Sequence, residues 1–440
     1  MRALTSMMPA QTANQPARWG LAATTALVAT QAIGVGIFLT PARMARSLQS
    51  PLGVFLVWGL MGMMAWSGAW CFGKLAARYP RSGGSYVYLR EIYGRDTAFL
   101  FGWMSFWVMD TGVMAALSVG LISYLAYLHP LPVLTVRLLG AALPAAIGLG
   151  YLLLPTGTLR ALTAVNLLKL LLVGGLPLWI FFSGRGSWNH LRPMWRPVPA
   201  PWAGHLGGAV VAAFFALAGW WEATKVAEKI RDPERTLPRA LAWGIGCMIA
   251  MYALLTAALL YLIPIARLAP GEAFLAQAGM ALAGVWGARI LTGLVVLCVA
   301  SMVGSLLLTT PQVYLAMRRD GLFPEGLARM NADGWPARIT AVQMLMIALL
   351  ALTGSFAAIA AFPVFSAVLF LALTAGGVLR LPGQSRGTRG LTWLFLGLSL
   401  LVLAPVLTHY RHALGGVAIT LLGWPVCRRM RRKERAISPA

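Results

Sequence analysis

The stretch QAIGVGIFLTPARM, residues Gln31 to Met44, lies inside the first long apolar segment of the chain. Glycine destabilises a helix interior by about 1 kcal/mol relative to alanine, yet Gly34 and Gly36 flank Val35 near the middle of this segment. A helix that breaks here frees carbonyl groups at the end of its first half and N–H groups at the start of its second half. The N–H end favours an anion, and the carbonyl end favours a cation. The stretch therefore predicts a discontinuous helix whose break can bind both ends of a zwitterion.

The composition is typical of a polytopic membrane protein built of helices. Hydrophobic residues make up 59% of the chain and charged residues 11%, whereas a soluble domain has about 25% charged residues. Apolar runs of about 20 residues recur along the chain, and each is long enough to cross a hydrocarbon core of roughly 30 Å. The formal net charge is +24. The basic residues fall in short loops between the apolar runs, which indicates membrane topology and not nucleic-acid binding.

The apolar runs predict an all-α fold with about twelve membrane spans. The predicted spans are 20–47, 52–77, 97–127, 134–154, 160–182, 203–230, 239–263, 285–317, 338–353, 356–379, 391–408 and 411–427. Lysine and arginine concentrate in alternate connecting segments, which places both termini in the cytoplasm. The predicted parts are a cytoplasmic N-terminal tail (1–19), spans 1–5 (20–182), spans 6–10 (203–380), spans 11 and 12 (390–427) and a basic cytoplasmic tail (428–440).

A second interruption lies in FFALAGWWEATKVAEK, residues Phe214 to Lys229, around Ala218-Gly219-Trp220. It falls in the sixth span, five spans after the first, so the sixth span crosses the membrane in the opposite direction. Two glycine-interrupted spans at corresponding places in two halves are typical of an inverted-repeat transporter with a binding site near the midplane. A single glycine pair is better explained by close helix packing. The matching positions of the two pairs favour a binding site.

Four stretches, in order along the chain, carry a family resemblance: GVGIFLTP (Gly34–Pro41), RYPRSGGSYVYLREIYG (Arg78–Gly94), FFALAGWWEATKVAEKIRDPERTLPRAL (Phe214–Leu241) and AMRRDGLFPEGLARMN (Ala316–Asn331). They resemble the amino acid–polyamine–organocation (APC) superfamily of transporters, which has the LeuT-type fold. The resemblance implies a 5+5 inverted repeat with discontinuous spans 1 and 6, two peripheral spans and an amino-acid-like substrate. The turns in the second and third stretches are interpreted as parts of a gate.

The resemblance also implies which groups bind the substrate. The carboxylate would meet N–H groups at the start of the second half of span 1, and the ammonium would meet carbonyls where the first halves of spans 1 and 6 end. The residues assigned in this way are Ala32, Ile33, Gly34, Val35, Gly36, Ile37, Phe215, Ala218, Gly219 and Trp220. Phe215 matches the family's aromatic residue that closes over bound substrate.

One departure from the family pattern affects span 6. Some members have glutamate two residues after the glycine, where this chain has Trp221, and Glu222 follows one residue later. One residue corresponds to about 100° around an α-helix. Whether Glu222 faces the site therefore stays open, and we assign it to gating together with Phe215.

Lys169 lies deep in the fifth span, in NLLKLLLVGG. A charge at mid-bilayer costs roughly 2.5–3.5 kcal/mol on insertion scales, so such a residue indicates function. The resemblance implies that its ammonium replaces the cation of sodium-coupled relatives, with carbonyls near Ala32 and Ile33, and Ser301 or Ser305, as partners. The same lysine could exchange a proton during transport. The structural alternative is a lysine that snorkels to the interface.

These features predict a secondary active transporter of amino acids that is independent of sodium and works by proton symport or by exchange. Asp110, in FWVMDTGVM of the third span, is either a substrate or proton contact or the acceptor of a buried hydrogen bond. It is the main feature that favours a cationic substrate. The alternatives are an amino acid exporter or a polyamine or amine transporter of the same fold, and a transporter-like nutrient sensor.

Other classes of protein fit the sequence poorly. The five histidines lie in loops or at span ends, and no HExxH or P-loop motif occurs, so we predict neither an enzyme nor direct use of ATP. We expect no disulfide, metal or cofactor, because the four cysteines are isolated: Cys71, Cys247, Cys298 and Cys427. The loop 129–132 lacks the cysteine through which some animal relatives bind a glycoprotein, so no covalent heavy-chain partner is expected.

The expected partners are therefore few. They are an amino acid substrate, protons in the symport alternative, and the lipid bilayer of a bacterial cytoplasmic (inner) membrane. We expect a monomer or homodimer and no nucleic-acid partner.

Overall fold

The chain is almost entirely helical in the computed structural model, which describes residues 19–34, 36–128, 130–268, 273–331, 335–353, 356–409 and 413–437. Within these ranges, the only β-type pairing is an isolated bridge between Trp19 and Ile230. The all-α, multi-span fold class is confirmed. Some of the sequence predictions fall on residues outside the described ranges: Val35, the N-terminal tail up to residue 18, residue 129, residues 411 and 412 of the twelfth predicted span, and residues 438–440.

The described residues form sixteen α-helices. They are α1 (Leu21–Ala32), α2 (Gly36–Leu48), α3 (Pro51–Arg78), α4 (Ser85–Tyr93), α5 (Arg95–Met104), α6 (Asp110–Leu128), α7 (Val133–Leu153), α8 (Pro155–Phe182), α9 (Trp202–Ala216), α10 (Pro233–Leu262), α11 (Ala273–Thr309), α12 (Pro311–Arg319), α13 (Ala337–Thr353), α14 (Phe356–Gly376), α15 (Arg386–His409) and α16 (Ala413–Ile437). A π-helical turn (Ser105–Met109) joins α5 to α6, and a 3₁₀ segment (Trp220–Lys229) follows α9. Shorter 3₁₀ turns lie at Trp188–Leu191, Ile265–Arg267 and Gly377–Arg380.

The helices are long and apolar enough to make this a multi-pass membrane protein. Among the described residues, nine helical stretches can cross a membrane by length and composition, or ten if the bent α1–α2 pair is one span. Helix α13 is apolar but shorter, at 17 residues. The twelfth predicted span corresponds to α16, which continues through basic residues to Ile437, so the predicted tail 428–440 begins inside a helix.

Spans 1 and 6 are both interrupted, as the two glycine stretches predict. The axes of α1 and α2 differ by 47° across the first break. In span 6, α9 ends at Ala216 and the chain resumes as the 3₁₀ segment after Gly219. The φ angle of Gly219 is +102°, in the left-handed region that glycine adopts without steric cost.

The two breaks pack against each other at their glycines. A Cβ atom added to Gly36 would lie 2.7 Å from the Cα atom of Ala216, and one added to Gly219 would lie 2.5 Å from the carbonyl oxygen of Gln31. Both distances are well below van der Waals contact, so a side chain at either position would displace backbone. The glycines thus let two irregular stretches of backbone meet inside the membrane.

The spans pair in a regular order. Span 2 packs on span 7 (α3 on α10), span 3 on span 8 (α6 on α11) and span 4 on span 9 (α7 on α13), while α2 packs on α9 and α1 on the 3₁₀ segment. Each of the first four spans therefore contacts the span five places later. A 5+5 repeat would produce this pairing, and the division into 20–182 and 203–380 stays a prediction.

Two spans that look long in the sequence contain interruptions. Span 3 consists of α5 and α6, joined by the π turn that leads into Asp110. Helix α11 has non-helical backbone at Ala283 and Gly284, directly before the predicted start of span 8 at residue 285, and inside the span a new helix, α12, begins at Pro311. A π turn inside an α-helix frequently marks a functional site.

Ser82, in one of the turns interpreted as part of a gate, lies in a set of polar contacts at one end of the spans. Glu228, near the end of the 3₁₀ segment, pairs with Arg319 of α12 at 2.7 Å, and its backbone N–H donates to the Ser82 hydroxyl at 3.0 Å. Asp320 accepts a hydrogen bond from the Tyr86 hydroxyl at 2.8 Å. The Glu228–Arg319 pair is about half exposed, so it contributes little stability by itself. Together the contacts join the ends of spans 2, 6 and 8.

We predict that Gly219→Ala lowers the thermal stability of the purified protein. Alanine must adopt a positive φ here and displace the Gln31 carbonyl, and a residue held in such a backbone region costs about 1–3 kcal/mol. Gly208→Ala is the matched control, because it lies in α9 of the same span with no atom within 4 Å of the added Cβ. Size-exclusion profiles recorded after heating report Tm for both variants. A Tm of Gly219→Ala equal to that of the wild type would contradict the close contact of the breaks.

Candidate functional site

A narrow cavity lies between the two breaks, and spans 1, 3, 6, 8 and 10 line it. The lining residues are Ala32, Gly34 and Gly36 of span 1, Met109, Asp110, Val113 and Leu117 of span 3, Phe214, Phe215, Ala216, Ala218, Gly219, Trp221 and Glu222 of span 6, Met302 and Leu306 of span 8, and Pro363, Val364 and Ala367 of span 10. The centres of water-sized molecules can occupy about 50 Å³ of it, and one water needs roughly 10–15 Å³ on that measure. The cavity therefore has room for a small solute, among mostly apolar side chains.

Most of the residues predicted from the sequence to bind substrate line this cavity: Ala32, Gly34, Gly36, Asp110, Phe215, Ala218 and Gly219. The predicted gating residue Glu222 lines it too. The predicted site residues outside the lining are Ile33, Ile37, Trp220, Lys169, Ser301 and Ser305. Within the described residues, no group of three or more His, Cys, Asp or Glu side chains is placed to hold a metal ion.

Tyr252 of α10 joins the two breaks. Its hydroxyl lies 2.9 Å from the carbonyl oxygen of Ala32 and 2.7 Å from that of Ala216, and it shares its proton between them. These are the last residues of α1 and α9, where carbonyls have no partner within the helix. The ring is 1% exposed and packs edge-on against Trp58. Tyr252 thus holds the ends of both first halves beside the cavity.

Lys169 of α8 bonds to the end of α1. Its ammonium donates to the carbonyls of Thr30 at 2.8 Å and Ile33 at 3.1 Å. Ile33 is a predicted partner, whereas Thr30 takes the place predicted for Ala32, whose carbonyl accepts from Tyr252 instead. The side chain of Lys169 is fully buried. The alternative of a lysine that snorkels to the interface is therefore wrong.

The two serines proposed as partners of Lys169 have other hydrogen bonds. The Ser301 hydroxyl donates to the Cys298 carbonyl of its own helix at 2.9 Å. The Ser305 hydroxyl accepts from the amide of Asn166 at 3.2 Å. Backbone carbonyls are thus the hydrogen-bond partners that the structure gives Lys169, and a role of the serines in the ion site stays a prediction.

The carboxylate of Asp110 is held by buried hydrogen bonds and also lines the cavity. Its Oδ2 atom accepts from the Ser105 hydroxyl at 2.6 Å and from the Tyr314 hydroxyl at 2.9 Å. Its Oδ1 atom lies 3.1 Å from the ammonium of Lys225. The π turn places Ser105 five residues before Asp110, in reach of its side chain. Asp110 therefore has three hydrogen-bond donors within the protein.

Glu222 lines the cavity from the 3₁₀ segment that follows Gly219. Such a helix has three residues per turn, so the side chains of Glu222 and Lys225 are neighbours, with their charged groups 2.8 Å apart. The other carboxylate oxygen of Glu222 accepts from the Thr309 hydroxyl at 2.8 Å. The rotation of 100° per residue, which holds for an α-helix, does not apply to this 3₁₀ segment. The sequence left open whether Glu222 faces the site, and in the structure it does.

The two tryptophans after Gly219 lie on different sides of the segment. Trp220 lies outside the cavity lining. Its ring packs edge-on against Phe72, with the centroids 5.1 Å apart, and also packs against Gly68, where an added Cβ atom would lie 2.8 Å from the ring. Trp221 lines the cavity, and its indole N–H has no hydrogen-bond partner among the described residues. A buried donor without a partner is rare. Trp221, and not Trp220, therefore offers the cavity a polar contact.

Sequence reasoning missed three residues of this site. Lys225 carried a usable signal, because it follows Glu222 by three residues inside a predicted span, a spacing at which helical side chains pair. Tyr252 and Trp221 carried none, since aromatic residues in spans are common as packing and interface residues. Their roles depend on contacts across the fold.

The chain matches a known family and individual proteins. Residues 20–413 match the profile of a family described as amino acid permease, a range that includes both breaks and every residue lining the cavity. An uncharacterised transporter of Mycobacterium tuberculosis is 32% identical over 357 residues, which cover 79% of this chain and 77% of that protein.

Two further relatives have described activities. The serine/threonine exchanger SteT of Bacillus subtilis is 26% identical over 327 residues, which cover 71% of each chain. The b(0,+)-type amino acid transporter 1 of Mus musculus is 26% identical over 251 residues, which cover 54% of this chain and 50% of the mouse protein.

We predict that Tyr252→Phe loosens both breaks. The change removes a donor from the Ala32 and Ala216 carbonyls, and a lost hydrogen bond costs about 0.5–1.5 kcal/mol. Hydrogen–deuterium exchange should become faster in peptides that cover the two breaks. Tyr93→Phe is the matched control, because its hydroxyl also donates to a carbonyl, that of Leu373 at 3.0 Å, outside the breaks. Exchange at both breaks that is unchanged in Tyr252→Phe would contradict the bridging role.

Proposed function

Because this chain belongs to the amino acid permease family of the APC superfamily, we propose that it carries amino acids across the membrane as a secondary transporter. The observation that carries the proposal is the cavity between the breaks of spans 1 and 6. Irregular backbone at membrane depth is tolerated where it lines a cavity or is buried in protein. Here it lines a space with room for a small solute.

The broken spans supply the groups that an amino acid headgroup needs. The first N–H groups of α2, from Gly36 onward, have no partner within their helix and form the positive end of its dipole. We place the substrate carboxylate there, with Val35 and Ile37 as predicted neighbours of Gly36. The ammonium would bind at the ends of α1 and α9, beside Ala32 and Ala218, where the helix dipoles are negative.

The side chain of the substrate would lie among the apolar residues of the cavity. Phe215 lines the cavity and is partly exposed, which suits its predicted movement over bound substrate. Met302 and Val113 line the cavity from spans 8 and 3, and methionine is an adaptable packing partner. The N–H of Trp221 is a donor available to the carboxylate.

We propose that Lys169 takes the place of a coupling cation. Its ammonium bonds two carbonyls at the end of α1, and the C-terminal end of a broken helix is where transporters of this architecture coordinate sodium or a proton. A fixed ammonium at this point removes the need for a sodium ion. Transport would then proceed without sodium.

Exchange is the mode of coupling that the relatives favour, since SteT is described as a serine/threonine exchanger. Proton symport is the second candidate.

Alternating access needs a closed end of the path. The polar contacts of Ser82, Glu228, Arg319 and Asp320 would close it. The concentration of lysine and arginine in these segments supports the proposal that this end and both termini lie on the cytoplasmic side of a bacterial inner membrane.

We predict that the purified protein catalyses amino acid counterflow in proteoliposomes without sodium. Lys169→Met should slow the initial rate about tenfold or more, because two buried carbonyls lose their donor at about 1–3 kcal/mol, and 1.4 kcal/mol is a factor of ten. Arg160→Met is the matched control, a cationic residue of the same helix that is exposed.

Two results would count against this proposal. A requirement for sodium, or an unchanged rate in Lys169→Met, would contradict the role of the lysine. Absence of counterflow for every member of a panel of neutral, acidic and cationic amino acids would overturn the transport function itself.

A further inference from the structure

The two carboxylates that line the cavity have a cation of the protein's own. The ammonium of Lys225 lies 3.1 Å from Asp110 Oδ1 and 2.8 Å from Glu222 Oε1. All three side chains are 2% exposed. Asp110 and Glu222 belong to the cavity lining, and Lys225 does not. The lysine therefore compensates one of the two negative charges from outside the space that a solute would occupy.

We propose that Lys225 is a specificity-determining residue. Its ammonium takes the place that a cationic group of a substrate would take at Asp110 and Glu222. The pocket then accepts amino acids with neutral side chains and rejects amino acids with cationic side chains and free diamines. The inference rests on the proposed transport function and adds the class of substrate to it.

Each of the four carboxylate oxygens already has a donor. The Lys225 ammonium donates to Oδ1 of Asp110 and to Oε1 of Glu222. The hydroxyls of Ser105 and Tyr314 donate to Oδ2 of Asp110. The Thr309 hydroxyl donates to Oε2 of Glu222. A cationic side chain that entered the cavity would therefore compete with an ammonium and three hydroxyls that already hold both carboxylates. Burying a charge is costly unless it gains such partners.

Lys225 is the one cation that the described structure places on these carboxylates. The elements packed against the 3₁₀ segment are α1, α3, α10, α11 and α12. Helix α1 carries no charged residue. None of the basic residues of the other four helices is buried. Removal of the Lys225 ammonium would thus leave two buried carboxylates without a counter-ion.

A pair of carboxylates in that state attracts any cation that can reach it. Breaking a buried ion pair by removing one partner leaves an uncompensated charge, which is strongly unfavourable. Asp110 and Glu222 face the cavity, so a substrate ammonium can restore the balance. The expected effect of losing Lys225 is a gain of a new substrate class, which a purely structural role of the lysine would not produce.

The test compares Lys225→Met with Lys229→Met in proteoliposomes. Methionine keeps an unbranched apolar stem, and Lys229 is an exposed lysine of the same segment. The assay is counterflow of radiolabelled L-alanine and L-leucine, with L-lysine and putrescine as competitors. In the wild type and in Lys229→Met, neither cation should compete. In Lys225→Met, L-lysine or putrescine should compete at a concentration at least tenfold below the highest one that leaves wild-type counterflow unchanged.

A double variant, Glu222→Gln with Lys225→Met, checks the source of the gain. It removes one of the two carboxylates, so competition by the cations should weaken again. Cations that fail to compete in folded Lys225→Met would overturn the proposal. If that variant does not fold, the wild type decides, because transport of L-lysine or putrescine as fast as neutral amino acids also overturns it. Absence of any amino acid counterflow in the wild type is a different result, since it removes the proposed transport function.

Discussion

A helix that is broken inside a membrane exposes backbone groups that lipid cannot satisfy, and the architecture of this protein follows from that constraint. The two breaks are packed against each other, with Gly219 against the Gln31 carbonyl. Tyr252 bridges the carbonyls at which α1 and α9 end, and Lys169 bonds two more at the end of α1. Side chains of the protein thus donate hydrogen bonds to carbonyls at the ends of α1 and α9, whereas Gly36 at the start of α2 lines the cavity. The breaks therefore form part of the cavity wall.

The two buried lysines near the breaks have different surroundings and, in our account, different tasks. Lys169 is held by neutral carbonyl dipoles, which suits an ammonium that replaces an ion. Lys225 lies between two carboxylates, which suits a counter-ion that sets the charge of the pocket. A charge inside a membrane protein is costly unless it is paired, and both lysines meet that requirement. Neither depends on the half-exposed ion pairs at the end of the spans, which are individually weak.

The features that the sequence predicts correctly are local in the chain. Apolar runs and glycine spacing are enough to predict an all-α, multi-span fold and both breaks, and the position of Lys169 in an apolar run favours its burial. What was missed depends on helix type and on contacts across the fold. After the break at Gly219 the chain continues as a 3₁₀ segment, in which Trp221 and Glu222 line the cavity and Trp220 does not. Tyr252 meets Ala32 across 220 residues of sequence, a distance over which no local pattern gives information.

In the proposed mode of binding, backbone N–H groups at the break of span 1 bind the carboxylate of an amino acid. Solid-state NMR can measure this contact directly, by dipolar recoupling between a substrate labelled with ¹³C in its carboxylate and protein labelled with ¹⁵N in glycine and isoleucine, in lipid bilayers. We expect a coupling to the backbone nitrogens of Gly36 and Ile37, at hydrogen-bond distances of about 2.7–3.2 Å between nitrogen and oxygen. The same coupling should be absent when the side-chain nitrogens of lysine alone carry the label. A carboxylate that couples to the ammonium of Lys169 or Lys225, and not to the backbone of α2, would contradict it.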